Sequence, residues 1–192
     1  MYKTIDFHVR GAAPLLMHSG QLANPTNKFA KAIKVITGKR KKTDEDYITL
    51  SDLEFRGGLY VDEQGRPVIP GEVIEGTIVS GAKKTKKGKD AKSGIIVDGN
   101  FPLIYDGPKS VEGLLADERF RFITGAVVGQ SRIMRTRPIF KTWEVKFTVS
   151  YLGDVFNPQE VIDFVETAGR TAGFGDWRPR FGRFDVLSHS AA

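Results

Sequence analysis

Residues 173–187, with the sequence GFGDWRPRFGRFDVL, combine residue types that can bind an extended anion. Guanidinium groups match phosphate geometry, aromatic rings can stack on bases, and glycines let another chain approach the backbone closely. In the alternative interpretation the glycines serve packing of a tight turn and the arginines are solvated. The combination favours contact with single-stranded nucleic acid. The candidates are Arg178, Arg180, Arg183, Trp177 and Phe174, with Gly173, Gly175 and Gly182.

A second segment, VIPGEVIEGTIVSGAKK at residues 68–84, predicts a helix that begins at Pro70-Gly71. The free N–H groups at a helix N-terminus can hold a phosphate, which makes Gly71 a candidate for a backbone contact. Glu72 and Glu75 argue against this role because their charges would repel a phosphate. The alternative is a plain amphipathic core helix, and the segment alone does not decide between the two.

Basic residues cluster in three further segments. A run of charge is usually a solvated loop. Together, however, these segments favour an extended basic surface with sequence-independent, salt-sensitive phosphate contacts. Because side chains alternate along a strand, Arg135 and Arg137 should share one face with Ile133. The candidates are Lys39, Arg40, Lys41 and Lys42; Lys83, Lys84, Lys86 and Lys87; and Arg132, Arg135 and Arg137.

Groups that could catalyse a reaction are few. The chain has no cysteine, its three histidines are scattered, and it has no Walker-type phosphate loop, so we expect neither a metal nor a cofactor. His18 beside Ser19 is the one candidate general base, but adjacent loop residues seldom have the geometry of an activated nucleophile. We therefore expect His18 to be a loop or binding residue.

Composition favours a folded, soluble protein with an anionic partner. The chain has 192 residues, 40% apolar residues, 13 Phe and a net charge of +6. No apolar run approaches the ~20 residues of a membrane helix, and the first residues alternate like a strand instead of resembling a signal peptide. We expect a cytoplasmic protein with no membrane partner.

Apolar periodicity predicts the elements that position these residues. Strands are expected at Tyr2–Arg10, Leu59–Asp62, Arg66–Ile69, Ile95–Val97, Leu103–Tyr105, Phe120–Thr124, Ala126–Val128, Ile133–Ile139, Trp143–Tyr151 and Arg183–Leu187. Apolar residues at helical spacing predict four helices. They begin at Phe29, after the cap at Thr43, at Pro70 and after the Asn157-Pro158 cap. The order predicts one α+β domain over residues 1–192, with a ferredoxin-like (RRM-like) antiparallel sheet, a helical insertion at about 25–57 with a basic tip, and a mobile basic loop at 83–93.

Two of these motifs resemble those of the RAMP superfamily, the repeat-associated proteins of CRISPR–Cas effector complexes. PVIPGEVIEGTIVSGAKK resembles its helix motif, and GRTAGFGDWRPRFGRFDV resembles its C-terminal glycine-rich loop. The matching residues cover about one fifth of the chain. The resemblance implies an RRM-like fold that binds guide RNA in a backbone subunit of an antiviral ribonucleoprotein, with the basic-tipped insertion in a thumb-like role.

The chain departs from the family pattern at two places. Glu75 stands where the family has a basic residue. Residues 18–27, which correspond to the loop that carries a cleaving acid in type III backbone subunits, contain Asn24 but no carboxylate. The resemblance therefore implies a non-catalytic subunit that binds single-stranded RNA, assembles head to tail along it, and contacts other effector subunits. Two alternatives stay open: a single-stranded DNA-coating protein of a phage or mobile element, and a RAMP-type RNA-processing endonuclease with His18 as its base.

Overall fold

The computed structural model describes the backbone of residues 1–128 and 131–191, and the side chains of residues 1–126 and 133–190. The strands are β1 Tyr2–Gly11, β2 Leu15–Leu16, β3 Val68–Pro70, β4 Ile95–Ile96, β5 Asn100–Ile104, β6 Arg121–Val128, β7 Ser131–Phe140, β8 Glu144–Leu152 and β9 Phe184–Ala191. The helices are α1 Lys28–Thr37, α2 Asp44–Gly58, α3 Gly71–Ala82, α4 Gly88–Gly94, α5 Val111–Ala116 and α6 Pro158–Thr171. Short 3-10 turns cover Gly20–Ala23, Lys83–Thr85 and Glu118–Phe120.

The main sheet is antiparallel, with strand order β3-β5-β8-β1-β9, and β4 also pairs with β8. The central pair, β1 and β8, is in register from Tyr2 opposite Leu152 to Arg10 opposite Glu144. The helix α3 lies between β1 and β5 in the chain, and α6 lies between β8 and β9. This is the βαββαβ order of a ferredoxin-like core, so the predicted α+β fold class is confirmed.

The core lies between this sheet and the packed pair α3 and α6. Strand alternation directs Ile5, Phe7 and Val9 into it, and all three are buried. The helix α6 begins where the sequence predicts, because Asn157 and Glu160 form a reciprocal capping box. A Cβ added at Gly81 would overlap the carbonyl oxygen of Phe164, so the glycine allows close approach of the two helices.

A second, three-stranded sheet has the order β2-β7-β6. The helices α1 and α2 form the predicted helical hairpin, and Thr43 and Asp46 form the capping box that starts α2. The helix α2 packs on β7, where the hydroxyl groups of Ser51 and Thr136 are 2.8 Å apart. The segments outside the ferredoxin-like core therefore comprise the two predicted helices, α1 and α2, and in addition a long β-hairpin, β6–β7.

One local prediction is wrong. The segment 83–93 is not an irregular loop, because the turn Lys83–Thr85 and the helix α4 occupy it, with Gly88 and Ala91 buried. The hairpin expected at 59–69 is present but short: Val61 and Pro67 form a bridge, the N–H of Asp62 donates to Arg66 at 3.0 Å, and the N–H of Val68 donates to Tyr60 at 3.0 Å. On its other side, Val68–Pro70 pairs with β5. Within the described residues, no helix has the length and apolar character needed to cross a membrane.

Candidate nucleic-acid interface

The loop between α6 and β9 presents an exposed aromatic ring flanked by arginines. The ring of Trp177 is 47% exposed and rests on Phe181 and Phe122, with centroid distances of 5.6 and 6.3 Å. The guanidinium of Arg180 lies 5.8 Å from the Trp177 centroid, and Arg178 donates to Thr77 Oγ1 on α3 at 3.4 Å. We call Trp177, Arg178 and Arg180 the Trp177 surface.

The arginines of this loop form no ion pair within the described residues. Among the described residues, no Asp or Glu lies within ion-pair distance of Arg178, Arg180 or Arg183, and all three are exposed. Arg183 is the residue before β9, and its carbonyl accepts from the N–H groups of Ala12 and Ala13. Their charges are therefore available to an anionic ligand.

The glycines of the loop have a packing role that the sequence interpretation did not favour. Gly173, Gly175 and Gly182 all have φ near +75°, in the left-handed region. A Cβ at Gly182 would overlap the carbonyl of Phe174, and one at Gly175 would overlap the carbonyl of Leu16. The glycines let the loop pack on its own chain, and the prediction that they admit a ligand backbone is wrong.

Phe174 does not lie on the surface, so the prediction that it stacks on a base is wrong. Its side chain is 0% exposed and stacks on Phe184 with a centroid distance of 4.4 Å. It also packs against Trp143 and Phe147. Of the two aromatic candidates, only Trp177 can meet a ligand.

The N-terminus of α3 does not form a phosphate cradle. The N–H of Gly71 donates to the carbonyl of Gly99 at 2.7 Å, and an added Cβ there would overlap the carbonyl of Val97. The surrounding groove is lined by Glu72, Glu75 and Asp98. Gly71 is therefore a packing glycine in an acidic environment that repels phosphate.

Arg135 and Arg137 share one face of β7, as predicted, but both are ion-paired. Arg135 pairs with Glu54, which also accepts the N–H of Thr136 at 2.8 Å. Arg137 Nε donates to Asp176 at 2.7 Å, while its Nη1 is buried without an acceptor in the described part of the chain. The pairs fix the positions of both arginines and reduce their net charge. The side chain of Arg132 lies outside the described residues.

The two lysine segments each follow a helix. Arg40, Lys41 and Lys42 follow α1 at the tip of the helical hairpin with Lys39, which pairs with Asp46 at 2.5 Å. Lys83, Lys84, Lys86 and Lys87 follow α3, and Lys87 pairs with Glu160 at the start of α6. Ser80, near the end of α3, lines the same groove as Trp177 and Arg178, and Lys83 and Lys84 follow it in the next turn of the chain. The predicted basic surface therefore draws on separate elements, of which the end of α3 borders the groove beside the Trp177 surface.

His18 borders a cavity of about 500 Å³ between α1, β7 and the turn after β2. Partial burial lowers the pKa of His18 below its usual value, Arg137 and Arg135 lower it further, and Asp176 opposes the shift. The imidazole is therefore neutral at pH 7. Arg135, Arg137, Lys34 and Glu54 also line the cavity. In residues 1–128 and 131–190, no cluster of three metal-ligating side chains occurs.

Sequence reasoning missed the support beneath Trp177 and the ion pair of Arg137. The contact of Phe122 with Trp177 and the ion pair of Arg137 with Asp176 require the knowledge that β6 and β7 lie beside the C-terminal loop. The alternation across Phe122–Ala126 and Ile133–Arg137 contained a hairpin signal, but it did not indicate that the hairpin leaves the main sheet.

The ferredoxin-like core, the helix α3 and the glycine-rich loop after α6 form a fold that comparison with solved structures also finds in a CRISPR effector complex, as the sequence resemblance predicted. The chain is similar to a subunit in the cryo-EM structure of type III-B Cmr-beta bound to cognate target RNA, with a TM-score of 0.56 and 11% identity. The match covers 99% of this chain and 60% of that subunit, so the chain spans less than two thirds of its length.

A crystal structure of Cmr6 from Pyrococcus furiosus also aligns, over 97% of this chain and 99% of Cmr6, at 11% identity. Its TM-score of 0.44 is too low to support an argument about the fold. Neither a protein-family model nor a curated protein sequence matches the chain. At these identities the similarity establishes the fold, and function is argued from the site.

Proposed function

We propose that this protein is a non-catalytic, single-stranded RNA-binding subunit of a CRISPR-type ribonucleoprotein. The observation that carries the proposal is the Trp177 surface, where a half-exposed ring lies beside two arginines that have no carboxylate partner in the described part of the chain. Stacking on an aromatic ring and guanidinium contacts to phosphate are the two interactions by which proteins hold single strands without reading their sequence. The RAMP-type fold supports RNA as the ligand, because the similar Cmr-beta subunit belongs to a complex bound to target RNA.

The test replaces two arginines and compares the salt dependence of binding. Arg178→Gln with Arg180→Gln should weaken binding to RNA of any sequence and reduce the magnitude of the slope of log K against log [salt] by about 1.4, since each phosphate contact to a single strand contributes ~0.7. Fluorescence anisotropy with a labelled 20-nucleotide RNA at several salt concentrations measures both effects.

The matched control removes the same charge elsewhere. Arg66 and Arg119 are exposed and pair with Asp62 and Asp117, away from the Trp177 loop. The variant with Arg66→Gln and Arg119→Gln has the same net charge as the test variant and should keep the wild-type slope. Equal affinity in the two double variants would contradict the assignment of Arg178 and Arg180.

Absence of RNA cleavage is the second part of the proposal. In the turn after β2, the Asn24 side chain accepts from Thr26, and Glu54, which lines the adjacent cavity, pairs with Arg135 and accepts the N–H of Thr136. A neutral His18 beside Arg135 and Arg137 is the observation that favours the alternative, a RAMP-type endonuclease. Metal-free incubation with repeat RNA decides between them: specific cuts that His18→Ala abolishes would establish the endonuclease.

The choice of RNA over DNA and the head-to-tail assembly have separate tests. RNA preference requires contacts to the 2′-hydroxyl, so affinities for RNA and DNA of equal length distinguish an RNA-binding subunit from a DNA-coating protein. For assembly, the nucleic acid that copurifies with the protein should show regular length steps, one step for each bound copy. A continuous length distribution would contradict a filament of fixed footprint.

A further inference from the structure

The cavity beside His18 has two chemically different walls. The turn Gly20–Ala23, the helix α1 and β6 contribute apolar side chains, namely Leu22, Ala23, Ala30, Ile33 and Ala126. The opposite wall is polar and carries His18, Glu54, Arg135, Thr136 and Arg137, with Lys34 and Thr37 at the α1 side. A ligand that fits both walls must have an apolar, flat or compact part and an anionic part.

The charges of the cavity favour an anion. Three cations, Arg135, Arg137 and Lys34, stand against two carboxylates, because Glu54 pairs with Arg135 and Asp176 pairs with Arg137; burial lowers the pKa of His18 and keeps it neutral. The remaining positive charge belongs to Lys34, while Arg137 Nη1 is buried without an acceptor among the described residues and would reach a ligand only after its side chain shifts. Neutral His18 can either donate or accept a hydrogen bond at the same wall.

One ion pair connects the cavity to the Trp177 loop. Arg137 lines the cavity and bonds to Asp176, which is the residue before Trp177. At about 500 Å³ the cavity lies in the ~300–1,000 Å³ range of small-molecule sites, which is large enough for one nucleotide.

We propose that this cavity binds a single nucleotide, with the base against Leu22, Ala30 and Ile33 and the phosphate against Arg137 and Lys34. The proposal deepens the proposed function and rests on it for the source of the nucleotide. An internal nucleotide turned out of the strand, a chain end and a free mononucleotide share this chemistry. Base-specific contacts come from the polar wall, whereas the apolar wall accepts any base.

The test fills the cavity and leaves the Trp177 surface intact. Ile33→Trp places an indole inside the cavity. The matched control is Val35→Trp, because Val35 belongs to the same helix but is 70% exposed. Isothermal titration with adenosine 5′-monophosphate should detect binding to the wild type and to Val35→Trp, and none to Ile33→Trp. Adenosine without phosphate should bind at least about tenfold more weakly, because it lacks the charged contacts.

RNA carrying one 2-aminopurine separates the possible sources of the nucleotide. Fluorescence should rise on binding, because the aliphatic wall unstacks the base, and Ile33→Trp should abolish the rise and lower RNA affinity about tenfold, the effect of one held base. A rise only with a terminal label indicates a chain end, and a rise with an internal label indicates an extruded nucleotide. If Ile33→Trp does not fold, Ala126→Phe fills the same cavity from β6.

The outcomes distinguish this proposal from the proposed function. Unchanged affinity for the mononucleotide and unchanged 2-aminopurine fluorescence in the filled variant would overturn the nucleotide site, while RNA binding through Arg178 and Arg180 would stand. Mononucleotide binding without any RNA binding would support the site and overturn the RNA-binding function. A cavity that binds no mononucleotide in the wild type also refutes the site.

Discussion

Replacing Trp177 by glycine should separate the contribution of the ring to RNA affinity from its contribution to folding. Trp177 has a φ of 52°, in the left-handed region that costs a bulky L-residue about 1–2 kcal/mol and glycine almost nothing. Its ring is 47% exposed, so the variant loses roughly half of a tryptophan's burial, about 100 Å² or ~2.5 kcal/mol. Relief of backbone strain offsets much of this loss. The free energy of unfolding should therefore fall by only about 1 kcal/mol, which lowers Tm by about 2–4 °C.

RNA affinity should fall far more than stability. One aromatic stack contributes ~1–3 kcal/mol, so Trp177→Gly should raise the Kd about tenfold, while Trp177→Phe should retain part of the affinity. Anisotropy titrations measure the affinity, and urea unfolding measures the stability of the same samples.

Tyr2→Ala is the control, because Tyr2 is an equally exposed aromatic residue (47%) at the start of β1. It should leave RNA affinity unchanged. Wild-type affinity in Trp177→Gly would refute the stacking role of Trp177. A loss of several kcal/mol of stability would refute the argument from its backbone angle.

Two further predictions concern folding. Gly182→Ala should lower the free energy of unfolding, measured in urea, by at least about 2 kcal/mol, because φ is +75° and the new Cβ would overlap the Phe174 carbonyl. The control is Gly76→Ala, in open space on α3, which should instead raise the free energy of unfolding by ~0.5–1 kcal/mol. Equal effects of the two substitutions would contradict the packing role of Gly182. The hydrogen bond from Lys87 lowers the pKa of Glu160, so this carboxylate stabilises the fold above its unfolded pKa of ~4.3, and the contribution is lost as the pH falls through the lower folded value. Glu160→Gln should thus destabilise the protein more at pH 7 than at pH 3, and a pH-independent loss would show that charge is not the cause.

Local sequence signals predicted the ferredoxin-like core well. The alternation of Ile5, Phe7 and Val9 and the cap at Asn157 depend only on neighbouring residues, so the sequence alone reveals them. The same is true of the helical hairpin, whose second helix starts at the Thr43 capping box.

The errors arose where distant contacts decide. Phe174 and Trp177 are three residues apart with similar side chains, yet one fills the core and the other faces solvent, because Gly175 and Gly182 fold the loop back on β2. Likewise, nothing near Arg137 in the sequence indicates its partner Asp176, which lies 39 residues away. Burial of a loop residue depends on the whole fold, which periodicity does not report.

The backbone bonds of the loop after α6 also determine the thermodynamics of binding. Gly182 N–H donates to Pro14 at 2.8 Å, Asp176 N–H donates to Leu16 at 2.7 Å, and Phe174 N–H donates to Gly182 at 2.9 Å. The loop is thus ordered before any ligand arrives, and its conformational entropy is lost during folding, not during association. RNA binding should therefore lack the large negative heat-capacity change of coupled folding, so this protein acts as a preformed template on which the flexible strand alone becomes ordered.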